Sequence, residues 1–481
     1  MTPGTLVRQI SPLVLGAAIL SGCVLPPKEL AHPTQLSNRD AGLSGAAVEP
    51  VADRWWNSFQ DPQLDRLIRA GLQNSPTFAQ ARSRVAEAAA RTQALQSKLL
   101  PSVDYGGGAS YERTPENYLI PPPLAGHSFW SGQAGVSLDW DLDFRGRQKD
   151  AVRGARALAQ SARFDADNAR LILAGAIAQA YIELYRQYAL AAIAERSAEQ
   201  RTDIVAITRR RVAAGLDTQL ELRQAEGQLP QARAAREQAR AAAELAVHAL
   251  AVLTASSAEF YASIAPPSLN ADAALPVPNA LPINLLARRP DVLSAHFYVL
   301  AADAERRADK AAFYPDVNLK ALAGFGAFGL DNLVRWSARG YEVGPLISLP
   351  LFDAGRLRAE YTGSEAQLDS AIDAYNDTVL RAVQQTADQL TLIDALARER
   401  LDQQETLAAN EAAYKLAEER YRAGLASYLS VLNAETQVLI ARQTVVDIRA
   451  GQVMARVNLL LAVGGSFDPE EADHVSTRLS P

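Results

Sequence analysis

The chain has almost no cysteine: Cys23 is the only one among 481 residues. Disulfide bonds within the chain and cysteine-ligated metal sites are therefore excluded. After residue 22, no stretch reaches the eighteen or so apolar residues that a membrane-spanning helix needs. The net charge of −6 gives no reason to expect a nucleic-acid partner. The five histidines lack the spacing of a metal site, so we expect neither a metal nor a cofactor.

The N-terminus is typical of an exported protein. Residues 1–22 contain Arg8 followed by an apolar stretch, as in a signal peptide. The segment ends in a Leu-Ser-Gly-Cys sequence that resembles the lipobox cut before a diacylated cysteine, here Cys23. We therefore predict a lipoprotein signal peptide, covalent lipid on Cys23 and a lipidated tether over 23–50. The residue after the cysteine is Val24. An aspartate there would resemble a signal that retains lipoproteins in the inner membrane, so valine favours the outer membrane. The alternative is a plain secretory signal with an incidental cysteine.

The chain repeats itself after 209 positions. Gly146 corresponds to Gly355, and Gly215 corresponds to Gly424 within an Arg-x-x-Ala-Gly-Leu segment that occurs twice. A period this long indicates a duplicated supersecondary unit rather than a solenoid. Each unit is expected to contain a helix, two strands, a long helix and a return helix. The predicted divisions are a first repeat over 51–265, a second repeat over 266–464 and a C-terminal tail over 465–481.

Two proline-free segments of 67 residues each, 147–213 and 356–422, predict very long helices. At 1.5 Å per residue, each would extend about 100 Å. A glycine turn and a return arm follow each segment, which predicts α-hairpins over about 147–253 and 356–463. Residues 218–221 have the Thr-x-x-Glu pattern of a capping box, which starts a helix. Taken alone, these helices would also suit a soluble coiled-coil rod.

Four segments with period-two alternation predict two β-hairpins, over about 102–144 and 316–352. Asp139, Asp141 and Asp143 alternate with apolar residues, so we expect them on one strand face that lines a lumen. Long, aromatic-tipped strands of this kind are typical of a transmembrane β-barrel, although a soluble sheet also alternates. Four strands cannot close a barrel, whereas three copies would supply twelve strands and an open pore. We therefore predict a homotrimer in outer-membrane lipid.

Seven short motifs follow one another along nearly the whole mature chain. They are Cys23, Trp55-Trp56-Asn57-Ser58-Phe59, Asp61-Pro62-Gln63-Leu64, Leu286-Ala287-Arg288-Arg289-Pro290-Asp291-Val292, Ala311-Ala312-Phe313-Tyr314-Pro315, Pro350-Leu351-Phe352-Asp353-Ala354-Gly355-Arg356 and Arg420-Tyr421-Arg422-Ala423-Gly424. In this order they resemble the TolC-like outer-membrane channels of tripartite efflux pumps, in their lipoprotein branch. The resemblance implies a mainly α fold with a membrane β-barrel, in which a trimer forms a 12-strand β-barrel and a long periplasmic α-helical barrel.

The resemblance also implies two partners, a periplasmic adaptor protein and an inner-membrane pump. Arg420 and Tyr421 would join the contacts that hold a periplasmic gate closed, and Leu429 and Asn433 would form its narrowest rings. Many relatives carry aspartate at the position of Asn433, so the asparagine puts a cation-binding role of that ring in doubt. The adaptor would dock at the hairpin tips, which are Ala214, Gly215, Leu216, Ala423, Gly424 and Leu425.

No motif predicts an enzyme. Residues 324–329 match G-x-G-x-x-G, but the next predicted element is a strand, whereas a dinucleotide site needs the glycines to open a helix. No Ser/His/Asp set has a supporting turn motif, so an anchored hydrolase is only a remote alternative. We predict an exit duct for small molecules. An exit duct for type I protein secretion and a lipid-anchored periplasmic coiled-coil scaffold remain alternatives, and the sequence does not identify the cargo.

Overall fold

A computed structural model of the chain contains long helices and one antiparallel sheet. It describes residues 27–29, 31–47, 51–117, 121–273, 275 and 278–467. The predicted signal peptide, the lipidation site Cys23 and the tail beyond residue 467 lie outside the described residues. The chain divides into two compact units. The sheet unit comprises Met1–Gln35, Val85–Ala162 and Ala295–Tyr375, and the helical unit comprises Leu36–Arg84, Arg163–Ser294 and Asn376–Pro481.

Helices make up most of the chain, and the two longest have the predicted bounds. None of the helices among the described residues combines the length and apolar character needed to cross a bilayer. The α-helices are α1 (Pro62–Asn74), α2 (Pro76–Gln96), α3 (Arg147–Ala213), α4 (Gln219–Leu253), α5 (Pro290–Ala311), α6 (Arg356–Arg422) and α7 (Tyr428–Ala462), with one further helical turn at Leu285–Arg288. Short 3-10 helices occupy Trp55–Phe59, Ser97–Leu99, Ala258–Ser263, Leu330–Asn332 and Trp336–Ala338.

The four predicted strands form a single antiparallel sheet in the order β1-β2-β3-β4, so β1 and β4 are its edges. Gly135 pairs with Gly106 on one side and with Gly324 on the other, and Gly324 pairs with Gly340, so one row of glycines crosses all four strands. A methyl group on Gly324 would lie 2.5 Å from the carbonyl oxygen of Ala134, so β2 and β3 approach closely there. The strands are β1 (Ser102–Arg113), β2 (Ser128–Asp141), β3 (Asp316–Phe328) and β4 (Arg339–Ser348).

The strand register gives the two faces of the sheet different chemistry. One face, here called the polar face, carries all the acidic residues of the four strands and also Lys320, whose Nζ lies 3.0 Å from Oδ2 of Asp139. The other, the apolar face, carries no acidic residue within these four described strands, and its only charged residues there are Arg113 and Arg339. The acidic residues of the polar face are Asp104, Glu112, Asp139, Asp141, Asp316 and Glu342.

The prediction that three aspartates share one strand face is wrong for Asp143. β2 ends at Asp141, and Asp143 is buried with a φ of 45°. Its carboxylate accepts hydrogen bonds from the backbone N–H groups of Gln148 (3.0 Å) and Lys149 (2.9 Å). The first N–H groups of a helix have no partner within the helix, so Asp143 stabilises the start of α3. Asp139 and Asp141 lie within β2 and share the polar face, as predicted.

The core of the helical unit explains the aromatic motif at residues 55–59. Trp55, Trp56 and Phe59 are buried against Tyr181 of α3 and against side chains of α7. The Tyr181 hydroxyl donates to Oδ2 of Asp61 (2.7 Å), and Oδ1 of Asp61 accepts the N–H of Gln63 at the start of α1 (2.9 Å). Asp61, which follows the aromatic motif, therefore caps α1 and bonds it to α3.

A second motif, around Arg288 and Arg289, holds the end of α7. Nη1 of Arg289 donates to the carbonyl oxygen of Ala462 (2.9 Å), and Nη2 of Arg288 donates to that of Gly465 (3.1 Å). The last carbonyl groups of a helix have no partner within the helix, and Arg289 satisfies that of Ala462. Arg288 holds the turn that follows the helix. Gly464 is required beside them, because its φ is 93° and a Cβ would lie 2.0 Å from the carbonyl oxygen of Arg288.

Candidate functional site

The two long helices end in tips of the same geometry. Gly215 (φ 71°) ends α3, and Gly424 (φ 80°) ends α6. The N–H of Leu216 donates to the carbonyl oxygen of Arg211 (2.9 Å), and the N–H of Leu425 donates to that of Arg420 (2.8 Å). This is the Schellman arrangement, for which glycine is favoured because the left-handed conformation strains other residues. The predicted glycine turns and the capping box at residues 218–221 are confirmed.

All six residues predicted to bind an adaptor are exposed in the single chain. The two leucines that follow the glycines are the most apolar of them, and 63 % of Leu216 and 72 % of Leu425 is exposed. Each tip therefore presents one large apolar side chain on a rigid glycine turn. The first tip is Ala214, Gly215 and Leu216, and the second tip is Ala423, Gly424 and Leu425.

A buried hydrogen-bond network joins the two hairpins just behind the tips. Arg211, at the end of α3, makes a bidentate pair with Asp217, from Nε to Oδ2 (2.9 Å) and from Nη2 to Oδ1 (3.0 Å). The same guanidinium donates from Nη1 to the carbonyl oxygen of Tyr421 in α6 (2.7 Å) and lies 4.5 Å from the centre of its ring. The Tyr421 hydroxyl donates to Oδ2 of Asp217 (2.6 Å) and lies 2.9 Å from Oγ1 of Thr208.

The charges of this network are fixed at neutral pH. Burial alone would raise the pKa of Asp217, but hydrogen bonds from Arg211 and Tyr421 outweigh burial and hold that pKa below its ordinary value. The bond to Asp217 raises the pKa of Arg211. Burial, together with the same carboxylate, raises the pKa of Tyr421 to about 12. The network therefore contains a carboxylate, a guanidinium and a neutral phenol, and bonds to charged groups are stronger than neutral ones.

A second buried ion pair joins the hairpins further from the tips. Nε of Arg201 in α3 lies 3.0 Å from Oε1 of Glu435 in α7, and both side chains are more than nine-tenths buried. Burial raises the pKa of Glu435, and the nearby Arg201 opposes this effect only in part. Tyr421 and Tyr428 are fully buried in the same region. The two hairpins are thus held together at two levels by charged groups that are about nine-tenths buried or more.

The predicted gate residues have different environments. Tyr421 is buried inside the chain, whereas Arg420 is exposed. Leu429 and Asn433 are both exposed and lie about one turn apart on α7, so they occupy one face of that helix. The structure brings Tyr421 together with the first hairpin, and it leaves Arg420, Leu429 and Asn433 on the surface of the single chain.

Sequence reasoning missed Thr208, Arg211 and Asp217 as members of the tip network. A signal for two of them was present, since the residues 209 positions after Thr208 and Asp217 are Ala417 and Ala426. Both polar residues thus occur where the second repeat has alanine. Departures from an internal repeat can mark positions where the two halves have to differ.

No group of three or more His, Cys, Asp or Glu side chains within the described ranges is placed to hold a metal ion.

Known proteins share both the sequence pattern and the fold of this chain. The family model of outer membrane efflux proteins matches residues 67–256 and 281–465. The chain is 34% identical over 377 residues to the fusaric acid resistance protein FusA of Burkholderia cepacia, covering 76% of this chain and 70% of FusA. It is 29% identical to the multidrug resistance outer membrane protein MdtP of Shigella flexneri, covering 96% of this chain and 98% of MdtP.

The fold matches that of solved channels. The crystal structure of the outer membrane protein VceC from Vibrio cholerae superimposes with a TM-score of 0.82 at 30% identity, covering 87% of this chain and all of VceC. The outer membrane channel CmeC of Campylobacter jejuni superimposes with a TM-score of 0.83 at 22% identity, which supports the fold alone. The chain therefore belongs to the outer membrane efflux protein family, and it is an outer-membrane channel of an efflux pump with a transport role, not an enzyme.

Proposed function

We propose that three copies of this chain form the exit duct of a tripartite efflux system, which passes small molecules from an inner-membrane pump and a periplasmic adaptor to the exterior. The sheet supports this assembly because β1 and β4 are edge strands with unpaired backbone groups. Pairing β4 of one copy with β1 of the next would remove all the edges and give twelve strands. The polar face would then line the lumen and the apolar face would contact lipid.

The network of Arg211, Asp217 and Tyr421 is the observation that carries the proposal of a gate at the tips. It bonds the first hairpin to the second inside one copy. An opening movement that separates the hairpins has to break charge-assisted bonds, so the bonded arrangement is the resting state. Leu429, Asn433 and Arg420 are exposed and are proposed to meet their copies on the trimer axis. Adaptor binding opens the duct only if the adaptor prefers the separated arrangement.

The tips are proposed to receive the adaptor through Leu216 and Leu425. Large apolar side chains on rigid turns are suitable anchors, because little conformational entropy is lost when they bind. Small molecules are favoured as cargo because the relatives are named for resistance to fusaric acid and to multiple drugs. Protein secretion remains the second candidate for the same duct, and the two differ in what accumulates when the duct is absent.

The experiment is to measure intracellular accumulation of a panel of dyes, antibiotics and organic acids in cells that lack the protein and in cells that re-express it. We expect higher accumulation without the protein, reversed by the intact chain. Leu425→Asp should fail to reverse it, because a carboxylate at the tip would have to be desolvated on docking. Leu401→Asp is the matched control, since Leu401 is 66 % exposed on the helix that leads to this tip and lies about 32 Å from the end of that helix.

The outcomes separate the candidates. If accumulation is equal in all strains and one protein is missing from the medium of cells that lack this chain, the cargo is a secreted protein and not a small molecule. The coiled-coil scaffold requires that Cys23→Ser release the protein into detergent-free buffer, whereas a membrane barrel still needs detergent without its lipid. Equal loss of activity in Leu425→Asp and Leu401→Asp would remove the tips from the docking site.

A further inference from the structure

At the loop end of the sheet, the cationic and the acidic side chains of the strands lie on opposite faces. Arg113 is the last residue of β1, and Arg339 is the first residue of β4, so both lie at the end of the sheet where the two hairpin loops are. The register places both on the apolar face. Glu112 and Glu342, at the same end, lie on the polar face. The apolar face therefore has cations and no acid at its loop end.

The loop that connects β3 to β4 carries a further arginine at the same end of the sheet. Arg335 is exposed there, and neither Arg335 nor Arg339 makes an ion pair within the part of the chain that the structure describes. The Arg339 guanidinium lies 4.8 Å from the centre of the Trp336 ring, and its Nη1 donates to the Trp336 carbonyl oxygen (3.0 Å). These contacts fix the direction of the guanidinium and leave its other donors available for a ligand. The nearby loop acids are Asp331 and Glu116, and Glu116 lies 3.9 Å from Arg113.

Large apolar and aromatic side chains surround these arginines and are unusually exposed. The exposed fractions are 86 % for Val334, 73 % for Trp336 and 87 % for Tyr341. On the same face, but on the β1–β2 side of the sheet, the rings of Tyr111 and Trp130 lie 5.5 Å apart. Aromatic side chains at the edge of an apolar band are typical of the boundary between hydrocarbon and headgroups. The arginines thus lie at the level where lipid headgroups would be found.

We propose that the loop end of the apolar face binds the phosphate groups of anionic lipids in the leaflet that faces the loops, through Arg335 and Arg339. Guanidinium groups bind phosphate through two parallel hydrogen bonds. No acid of the four described strands lies on this face to compete for them. The inference rests on the proposed trimer in one respect: pairing β4 with β1 of the next copy brings Arg113 of that copy to the same end. Each trimer would then have three such sites, one at each junction between copies.

The test measures lipid preference around the protein in phosphatidylcholine bilayers. Brominated phosphatidic acid and brominated phosphatidylcholine both quench tryptophan fluorescence, and the ratio of their effects gives the relative affinity for the anionic lipid. We expect the intact protein to prefer phosphatidic acid. Arg339→Ala should lower this preference about fivefold, since each cation near an anionic surface contributes about that factor. Arg335→Ala combined with Arg339→Ala should remove it almost completely.

Lys320→Ala is the matched control, because it removes one cation from the polar face of the same sheet. It should leave the preference unchanged. An equal preference in the intact protein and in the double variant would overturn the proposal, as would an equal loss in Lys320→Ala. If inorganic phosphate abolishes the preference and chloride of the same ionic strength does not, the arginines bind a soluble anion and not a lipid.

Channel conductance recorded from the same preparations separates this inference from the proposed function. Conducting channels without a lipid preference would overturn only the lipid site. A protein that neither enters bilayers nor conducts would overturn the duct itself.

Discussion

The hydroxyl of Tyr421 donates to Oδ2 of Asp217 over 2.6 Å, and this bond connects the last turn of α6 to the loop that precedes α4. Asp217 is already bonded in bidentate fashion to Arg211, so one carboxylate serves residues of both hairpins. The two side chains of the ion pair are each 9% exposed. Bonds of this kind resist small fluctuations, yet they break together once the hairpins separate. This property is suited to a gate with two states.

Tyr421→Phe should favour opening of the duct. The change removes the bond to Asp217 and the contact with Thr208 while it keeps the buried ring, and a hydrogen bond to a charged group contributes about 1.5–3 kcal/mol. We therefore expect at least a tenfold larger open fraction of trimers in planar bilayers, measured as the time-averaged conductance per channel. Tyr414→Phe is the control, since Tyr414 is partly buried on the same helix and belongs to no bond of the network. Identical conductance in Tyr421→Phe and in the intact protein would show that this bond does not hold the gate.

Gly324→Ala should weaken the sheet. A Cβ at this position would lie 2.5 Å from the Ala134 carbonyl oxygen and 2.6 Å from the Gly135 Cα, so β2 and β3 would have to separate. Strain of this kind costs about 1–3 kcal/mol. Gly326→Ala is the matched control on the same strand and face, because a Cβ there meets no atom within 4 Å. The measurement is the temperature at which the folded species is lost on a semi-denaturing gel, and equal temperatures for the two variants would contradict the prediction.

The sequence predicted the helical part of the fold almost completely. α3 and α6 begin and end at the predicted residues because no proline interrupts them and a left-handed glycine ends each hairpin arm. The strands were located less well. β2 begins at Ser128, although clear alternation starts only at Val136, because small residues such as Gly132 and Ala134 weaken the pattern before it. β2 also ends before Asp143, because that residue caps the start of α3 instead of continuing the strand.

The sequence predicts where the candidate site lies along the chain, but not which residues bond to one another there. The tips and Tyr421 were identified from the repeated glycine turns and from the resemblance. Their bonding partners were not, because contacts between residues about 200 positions apart leave no periodic signal in one sequence. Arg211 lies 210 positions from Tyr421, and only the folded chain brings the two into contact.

Asp167→Asn should make the protein less sensitive to pH between about 4 and 6. Asp167 lies beside Trp55 and Trp56, and burial raises the pKa of its carboxyl from 3.8 to about 6. Arg170 lowers that pKa only in part, since it also pairs with Asp53 at 2.6 Å. Between these two pKa values the folded chain keeps a proton that the unfolded chain has released, so stability falls as the pH rises.

Asparagine does not ionise, so the variant avoids the cost of a buried carboxylate and should be more stable than the intact protein at pH 7 by about 2 kcal/mol. This figure takes about 1.4 kcal/mol for each unit of the pKa shift and is reduced because the side chain is in partial contact with solvent. The two proteins should unfold at the same temperature near pH 4. Asp165→Asn, an exposed acid two residues away, controls for the change in net charge and should leave the pH dependence of the intact protein in place. The measurement is the unfolding temperature by circular dichroism at several pH values. A difference between Asp167→Asn and the intact protein that stays constant from pH 4 to 7 would mean that Asp167 titrates at its ordinary pKa, and that the cavity beside the two tryptophans is open to water.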